Sequence, residues 1–150
     1  MNDFREAFRR GQDAWRNAEH AHREISAVFD QFAQQVQEAS NERIHVRRDV
    51  RPGPGAREGI YNSLDGGKKI ISGPRYNVLV ATGADAPEPQ GVEICQYETA
   101  EAGYPVTLQY ARTEERCLDV TALAEGLKRL LASPSTGRML AQLMQGTAAA

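Results

Sequence analysis

The 150-residue chain holds only two cysteines, three lysines and one tryptophan, and no proline precedes Pro52. Cys95 and Cys117 are too few for a disulfide framework and lack the paired spacing of a zinc site, so both read as reduced thiols buried in strands. Long apolar runs are missing as well. The longest, 78–81 and 139–141, fall far short of the roughly 20 residues a membrane-spanning helix needs. Met1 is followed closely by Asp3, Arg5, Glu6 and Arg9, which does not suit a secretory leader. The expectation is therefore a cytoplasmic, water-soluble protein with no membrane partner. Arginine stands in for the scarce lysine, 15 to 3, and with abundant alanine this suggests a GC-rich bacterial or phage gene. That bias concerns codons and carries no chemistry.

Recognisable catalytic machinery is also lacking. Catalysis needs a nucleophile or an acid/base pair held at fixed separation, commonly beside a cradle for developing charge. Asp65-Gly66-Gly67-Lys68-Lys69 lacks the spacing of a phosphate-binding loop and reads as a hairpin turn. Glu19-x-x-His22 has the i, i+3 spacing of di-iron bundles, but no inward glutamates from two further helices complete the set. Cys95 has no histidine near it in sequence. The chain is thus expected to be no enzyme, with no catalytic residues, no metal site and no cofactor.

What is present begins with one long periodic stripe. Phe4, Phe8, Gly11, Trp15, Ala18, His22, Ile25, Phe29, Phe32, Val36 and Ala39 follow alternating steps of four and three, a heptad seam over five repeats. The spacing predicts one amphipathic helix over about 2–40, nearly 60 Å long at about 1.5 Å per residue. A compact body of this length is only about 40 Å across. Part of the stripe must therefore be buried outside its own domain, unless the helix breaks at Gly11 and folds back. Each large ring left in water would forfeit roughly 1.5–3 kcal/mol. A second copy is the simplest cover, and a larger heterologous partner is the alternative. Aromatic residues suit an irregular bundle better than a regular two-stranded coil, and Ala14, Ala21 and Val28 widen the stripe. The half from Ile25 to Ala39 is expected to cover the domain core while the other half reaches outward. The expected interface comprises Phe4, Phe8, Trp15, His22, Ile25, Phe29 and Phe32. If His22 lies buried at a two-fold axis, its protonation weakens the pair as pH falls through about 6.

After Arg43 the pattern changes to short β-rich runs at 44–50, 59–62, 69–72, 76–82, 92–98, 104–111 and 115–118. The links between them are too short for crossover helices, so the sheet should be an antiparallel meander of five to seven strands. The run 76–81 is the most apolar and reads as a central strand. The run 104–110 alternates, with Pro105 placed for an edge or a strand entrance. A tight turn is expected at 64–67, a longer connection over 84–91 and a hinge over 51–55. Asp119 then caps a helix bearing Val120, Leu123, Ala124, Leu127, Leu130 and Leu131 inward. Ser133-Pro134 opens a shorter one bearing Met139, Leu140, Leu143 and Met144, ended by Gly146, with 147–150 a frayed tail. The fold class is α+β: residues 1–43 a long helical arm and 44–150 an α+β body, a single domain overall.

Charge is uneven along the chain. Residues 41–80 carry eight basic and four acidic groups, and 81–125 carry two and nine. Folding either keeps these as two poles or lets them neutralise each other across neighbouring strands. The basic cluster of Arg43, Arg47, Arg48, Arg51, Arg57, Lys68, Lys69 and Arg75, with Tyr61 and Tyr76 nearby, is the one candidate nucleic-acid surface. Arg47 and Arg48 must point to opposite faces of a strand, which weakens it. The leading expectation is a non-enzymatic interaction protein, an inhibitor, adaptor or accessory subunit. It self-associates as a homodimer through the aromatic stripe and presents its sheet and acidic segment to a larger protein. The alternative is a nucleic-acid-binding accessory protein.

Overall fold

A computed structural model of the chain describes residues 3–53, 57–61, 68–72, 74–83 and 91–148, with side chains over 3–53, 74–83 and 91–145. The turn expected at 64–67, residues 84–90 of the longer connection, residues 54 and 55 of the hinge and 149–150 of the tail lie outside the described residues. Helix α1 (Phe4–Ala39) runs unbroken through Gly11, so the alternative of a break there does not occur. Asp3 opens it, its carboxylate accepting from the Glu6 N–H at 3.3 Å. At the other end Asn41 and Glu42 take positive φ values of 52° and 63° and reverse the chain. Ser40 ties off this reversal, its hydroxyl donating to the Gln37 carbonyl and accepting from the Ile44 N–H, both at 3.0 Å.

The strands are β1 (Ile44–Pro52), β2 (Arg57–Tyr61), β3 (Lys68–Ser72), β4 (Arg75–Gly83), β5 (Val92–Ala100), β6 (Gly103–Tyr110) and β7 (Thr113–Cys117). Five of them form one antiparallel sheet in the order β1-β4-β5-β6-β7. The other two, β2 and β3, pair with each other and, among the described residues, with no other strand, as a hairpin inserted between neighbours β1 and β4. The expected meander is therefore interrupted once. Strand β4 is interior, with Val78 to Ala81 almost wholly buried on both faces. Strand β6 alternates as its sequence does, and Pro105 sits at the entrance of this interior strand, not on an edge.

Asp119 caps α2 (Val120–Ala132), accepting from the Ala122 N–H at 2.7 Å. Pro134 opens α3 (Pro134–Ala148), which continues past Gly146 to Ala148. The expected stop at Gly146 is thus wrong: a glycine costs a helix only about 1 kcal/mol and does not by itself end one.

A single core lies between one face of the sheet and the helices. Ile25, Phe29, Phe32 and Val36 of α1 meet Leu79, Ala81, Val106, Leu108 and Cys117 of the sheet and Leu123, Leu127 and Leu130 of α2. Phe29 packs on Tyr97 with ring centroids 4.7 Å apart. Helix α2 comes close to β6 and β7 at Gly126, where a Cβ would stand 3.0 Å from Leu108 Cδ1 and 3.2 Å from Cys117 Sγ. Beside it Glu115, on the helix side of the sheet, accepts two bonds from the Arg129 guanidinium and one from the Tyr110 hydroxyl.

Candidate functional site

The burial of α1 changes abruptly along its length. Its C-terminal half supplies core: Phe29 is 2% exposed. Its N-terminal half stands open: Phe4 is 75%, Phe8 68% and Trp15 61% exposed. The 36 residues span about 54 Å at 1.5 Å per residue, and the first half projects beyond the body as an arm. The first turn of an isolated helix is costly to form. Here the packed half provides that turn, and ion pairs Arg10–Glu6, Arg16–Asp13 and Arg23–Glu19 link successive turns of the helix.

The arm is rooted where the β5–β6 turn meets α1. Gly103 has φ +103°, and a Cβ there would stand 2.5 Å from the Ala21 Cβ, so only glycine permits this approach. On either side of that contact the His22 Nε2–H donates to the Glu101 carbonyl at 3.0 Å, and the Tyr104 hydroxyl donates to Glu24 Oε1 at 2.7 Å. Burial and the Glu24 bond together push the Tyr104 hydroxyl well above the usual tyrosine range. Between arm and turn runs a groove of about 580 Å³ lined by Gly11, Ala14, Trp15, Ala18, Glu19, His22, Glu101 and Ala102. Six of these eight lie along the exposed half of the heptad seam and its flanks.

This placement divides the expected interface. Phe4, Phe8 and Trp15 are open to a partner, and His22 is exposed but held to Glu101. Ile25, Phe29 and Phe32 are not available, because the chain's own sheet and α2 cover them. The helical arm likewise ends near Ala21 instead of at residue 43. Glu101 and Ala102 join the groove without any signal in their local sequence, which does not say which helix their turn will touch.

Among the described residues, the basic cluster is divided between the two faces of the sheet. Arg47 and Arg51 share the sheet face away from the helices with their cross-strand partners Val80, itself fully buried, and Tyr76, whereas Arg48 lies on the helix side, bonded to Asp30 at 3.1 Å and 5.8 Å from the Phe29 ring centroid. Arg51 pairs with Glu93 at 3.3 Å across β4, and Arg47 lies 3.8 Å from Asp49. The Tyr76 hydroxyl donates to Glu93, which raises its pKa. Basic and acidic segments thus neutralise each other here. The side chains of Arg57, Tyr61, Lys68 and Lys69 lie outside those described, and Arg43 is exposed.

No protein-family model, curated protein or solved structure matches this chain.

Chemistry elsewhere is sparse. A cleft lined by Glu93, Cys95, Gln96, Gln109, Tyr110 and Ser135 holds the Cys95 thiol, but burial pushes that thiol up to about 12 and its S–H donates to the Gln96 carbonyl. Burial raises Cys117 as well. A thiol kept protonated in this way is a poor nucleophile. Among the described residues no group of three or more His, Cys, Asp or Glu side chains could hold a metal ion, and no helix is long and apolar enough to cross a membrane.

Proposed function

We propose that this chain is a non-enzymatic interaction protein that self-associates through the projecting half of α1. Its body then serves as an inhibitor, adaptor or accessory subunit toward a larger protein. The observation that carries this reading is the alignment of three large exposed rings, Phe4, Phe8 and Trp15, on one face of a helix whose projecting half is otherwise mostly polar. Each ring forfeits about 1.5–3 kcal/mol in water and regains it only against a neighbour. Large exposed apolar patches on a soluble surface generally mark contact sites.

Sedimentation equilibrium of the full chain tests the proposal. A concentration-dependent dimer is expected, and the double variant Phe8→Ala, Trp15→Ala is expected to be monomeric with an unchanged far-ultraviolet spectrum, since neither ring belongs to the core. A wild-type chain that stays monomeric at the highest attainable concentration overturns the reading. If that monomer is also retained by heparin in a salt-sensitive way, the basic residues of β1 and the hairpin become the better account.

A further inference from the structure

We infer that the arms of two copies pair antiparallel in one register, Trp15 of each against Gly11 of the other, Phe8 against Ala18 and Phe4 against His22. This rests on the self-association proposed above and specifies its geometry.

Direction follows from where the body lies. The heptad seam that carries Phe4, Phe8 and Trp15 is the same seam whose later positions, Ile25, Phe29, Phe32 and Val36, face the chain's own sheet. The Glu101–Gly103 turn closes over Ala21 and His22. A second helix can therefore occupy the seam only between the N-terminus and that turn. Laid parallel, it would bring its own body to the same level on the same side, and two bodies would claim one space at helix separations of about 8–10 Å. Laid antiparallel, each body lies beyond the other arm's N-terminus.

Register follows from size and charge. In the stated pairing every large ring meets a small or polar residue, and the rings of Phe4 and Phe8 enter the groove floored by Ala18 and His22 and walled by Glu101 and Ala102. Antiparallel pairs bring like flanking positions together, so Arg5 faces Glu19 twice, joining the Arg23 that already pairs with that carboxylate, Gln12 faces its own copy and Ala14 faces Ala14. Sliding by one heptad sets Trp15 against Phe4, leaves Arg5 opposite Gln12 and uncovers Ala18 and His22. Gly11 supplies a separate observation. A Cβ there would meet no atom within 4 Å, so nothing among the described residues requires glycine at this costly helical position. A Trp15 ring from a second copy does.

Cysteine cross-linking of the full chain decides the matter, with Cys95 and Cys117 both buried. Ala14→Cys should form a disulfide-linked dimer with itself under mild oxidation. An equimolar mixture of Ala7→Cys and Ala14→Cys chains should give no Ala7–Ala14 link, because that pair meets only in the slipped register. Gly11→Leu should weaken the dimer at least tenfold while the helicity of the monomer rises. A wild-type dimer in which Ala14→Cys fails to cross-link, or in which the mixed link forms, overturns this geometry and leaves self-association standing. A monomeric wild type overturns both.

Discussion

Replacing Gly103 by alanine should show how tightly the arm is rooted. Two costs add at this position. The backbone at φ +103° is a conformation that a residue with a side chain occupies at about 1–3 kcal/mol. The new Cβ would also stand 2.5 Å from the Ala21 Cβ, so helix and turn must move apart by about an ångström to reach ordinary contact, an overpacking cost of about 1–3 kcal/mol. Together Gly103→Ala should destabilise the fold by about 2–6 kcal/mol, a large part of the ~5–15 kcal/mol typical of a domain. Urea unfolding followed by far-ultraviolet dichroism is the assay, because Trp15 on the exposed arm is a poor fluorescence reporter of the core. Gly137→Ala is the control: it lies in α3, where an added Cβ would meet no atom within 4 Å, and should gain about 0.5–1 kcal/mol from helix propensity. Adding Ala21→Gly to Gly103→Ala should relieve the overlap and leave the backbone strain, which appears as a favourable coupling of about 1–3 kcal/mol. A loss below about 1 kcal/mol for Gly103→Ala, or no coupling with Ala21→Gly, would refute the reasoning.

The same heptad seam should answer differently at its two ends. Phe29→Ala should cost about 3–5 kcal/mol of stability, and Trp15→Ala less than about 0.5 kcal/mol when both are measured at concentrations low enough to exclude association. Thr136 is fully buried, and its hydroxyl has no hydrogen-bond partner among the described residues, so Thr136→Val should stabilise the fold by about 1–3 kcal/mol in the same urea assay. Because burial holds the Cys95 thiol at about 12, native protein should resist thiol-specific alkylation at about pH 8 and react only on unfolding. The unfolded thiol ionises near about 8.5 and the folded one does not. The stability contributed by this group is therefore intact below that pH and lost as pH rises toward about 12, a decline that pH-dependent unfolding curves should record.

The fold was legible where the signal is local. The seam of α1, the cap at Asp119, the Pro134 start of α3 and the alternation of β6 each declare themselves within a few residues, because helical and strand periodicities are set by nearest-neighbour geometry. The hairpin of β2 and β3 was visible as two strands but not as a separate pair, since local pattern does not say that β1 skips both to join β4. The site was legible only by half. Phe4, Phe8 and Trp15 look the same in sequence as Phe29 and Phe32: large rings at seam positions of one helix. What separates them is the turn at Glu101–Gly103, far along the chain, which marks where the body stops. The ion partners of Arg48 and Arg51 in the cluster at 43–75 were hidden for a related reason, as Asp30 and Glu93 belong to other elements.

A helix whose two halves share one seam but not one environment has a mechanical consequence. The buried half fixes the axis, the phase and the first turns of the exposed half, so the rings of the arm are held in line before any neighbour arrives. Ordering a flexible segment at the moment of docking costs about 0.5–1.5 kcal/mol for each side chain immobilised, besides the backbone. Much of that cost is met here by folding, through Ile25, Phe29, Phe32 and Val36. Gly11 is then the weak point in the arm, lowering helix stability by about 1 kcal/mol at the position where the proposed pairing seats a Trp15 ring. Substitution at Gly11 should therefore move monomer helicity and dimer affinity in opposite directions, a divergence that a simple flexible tail bearing the same three rings would not produce.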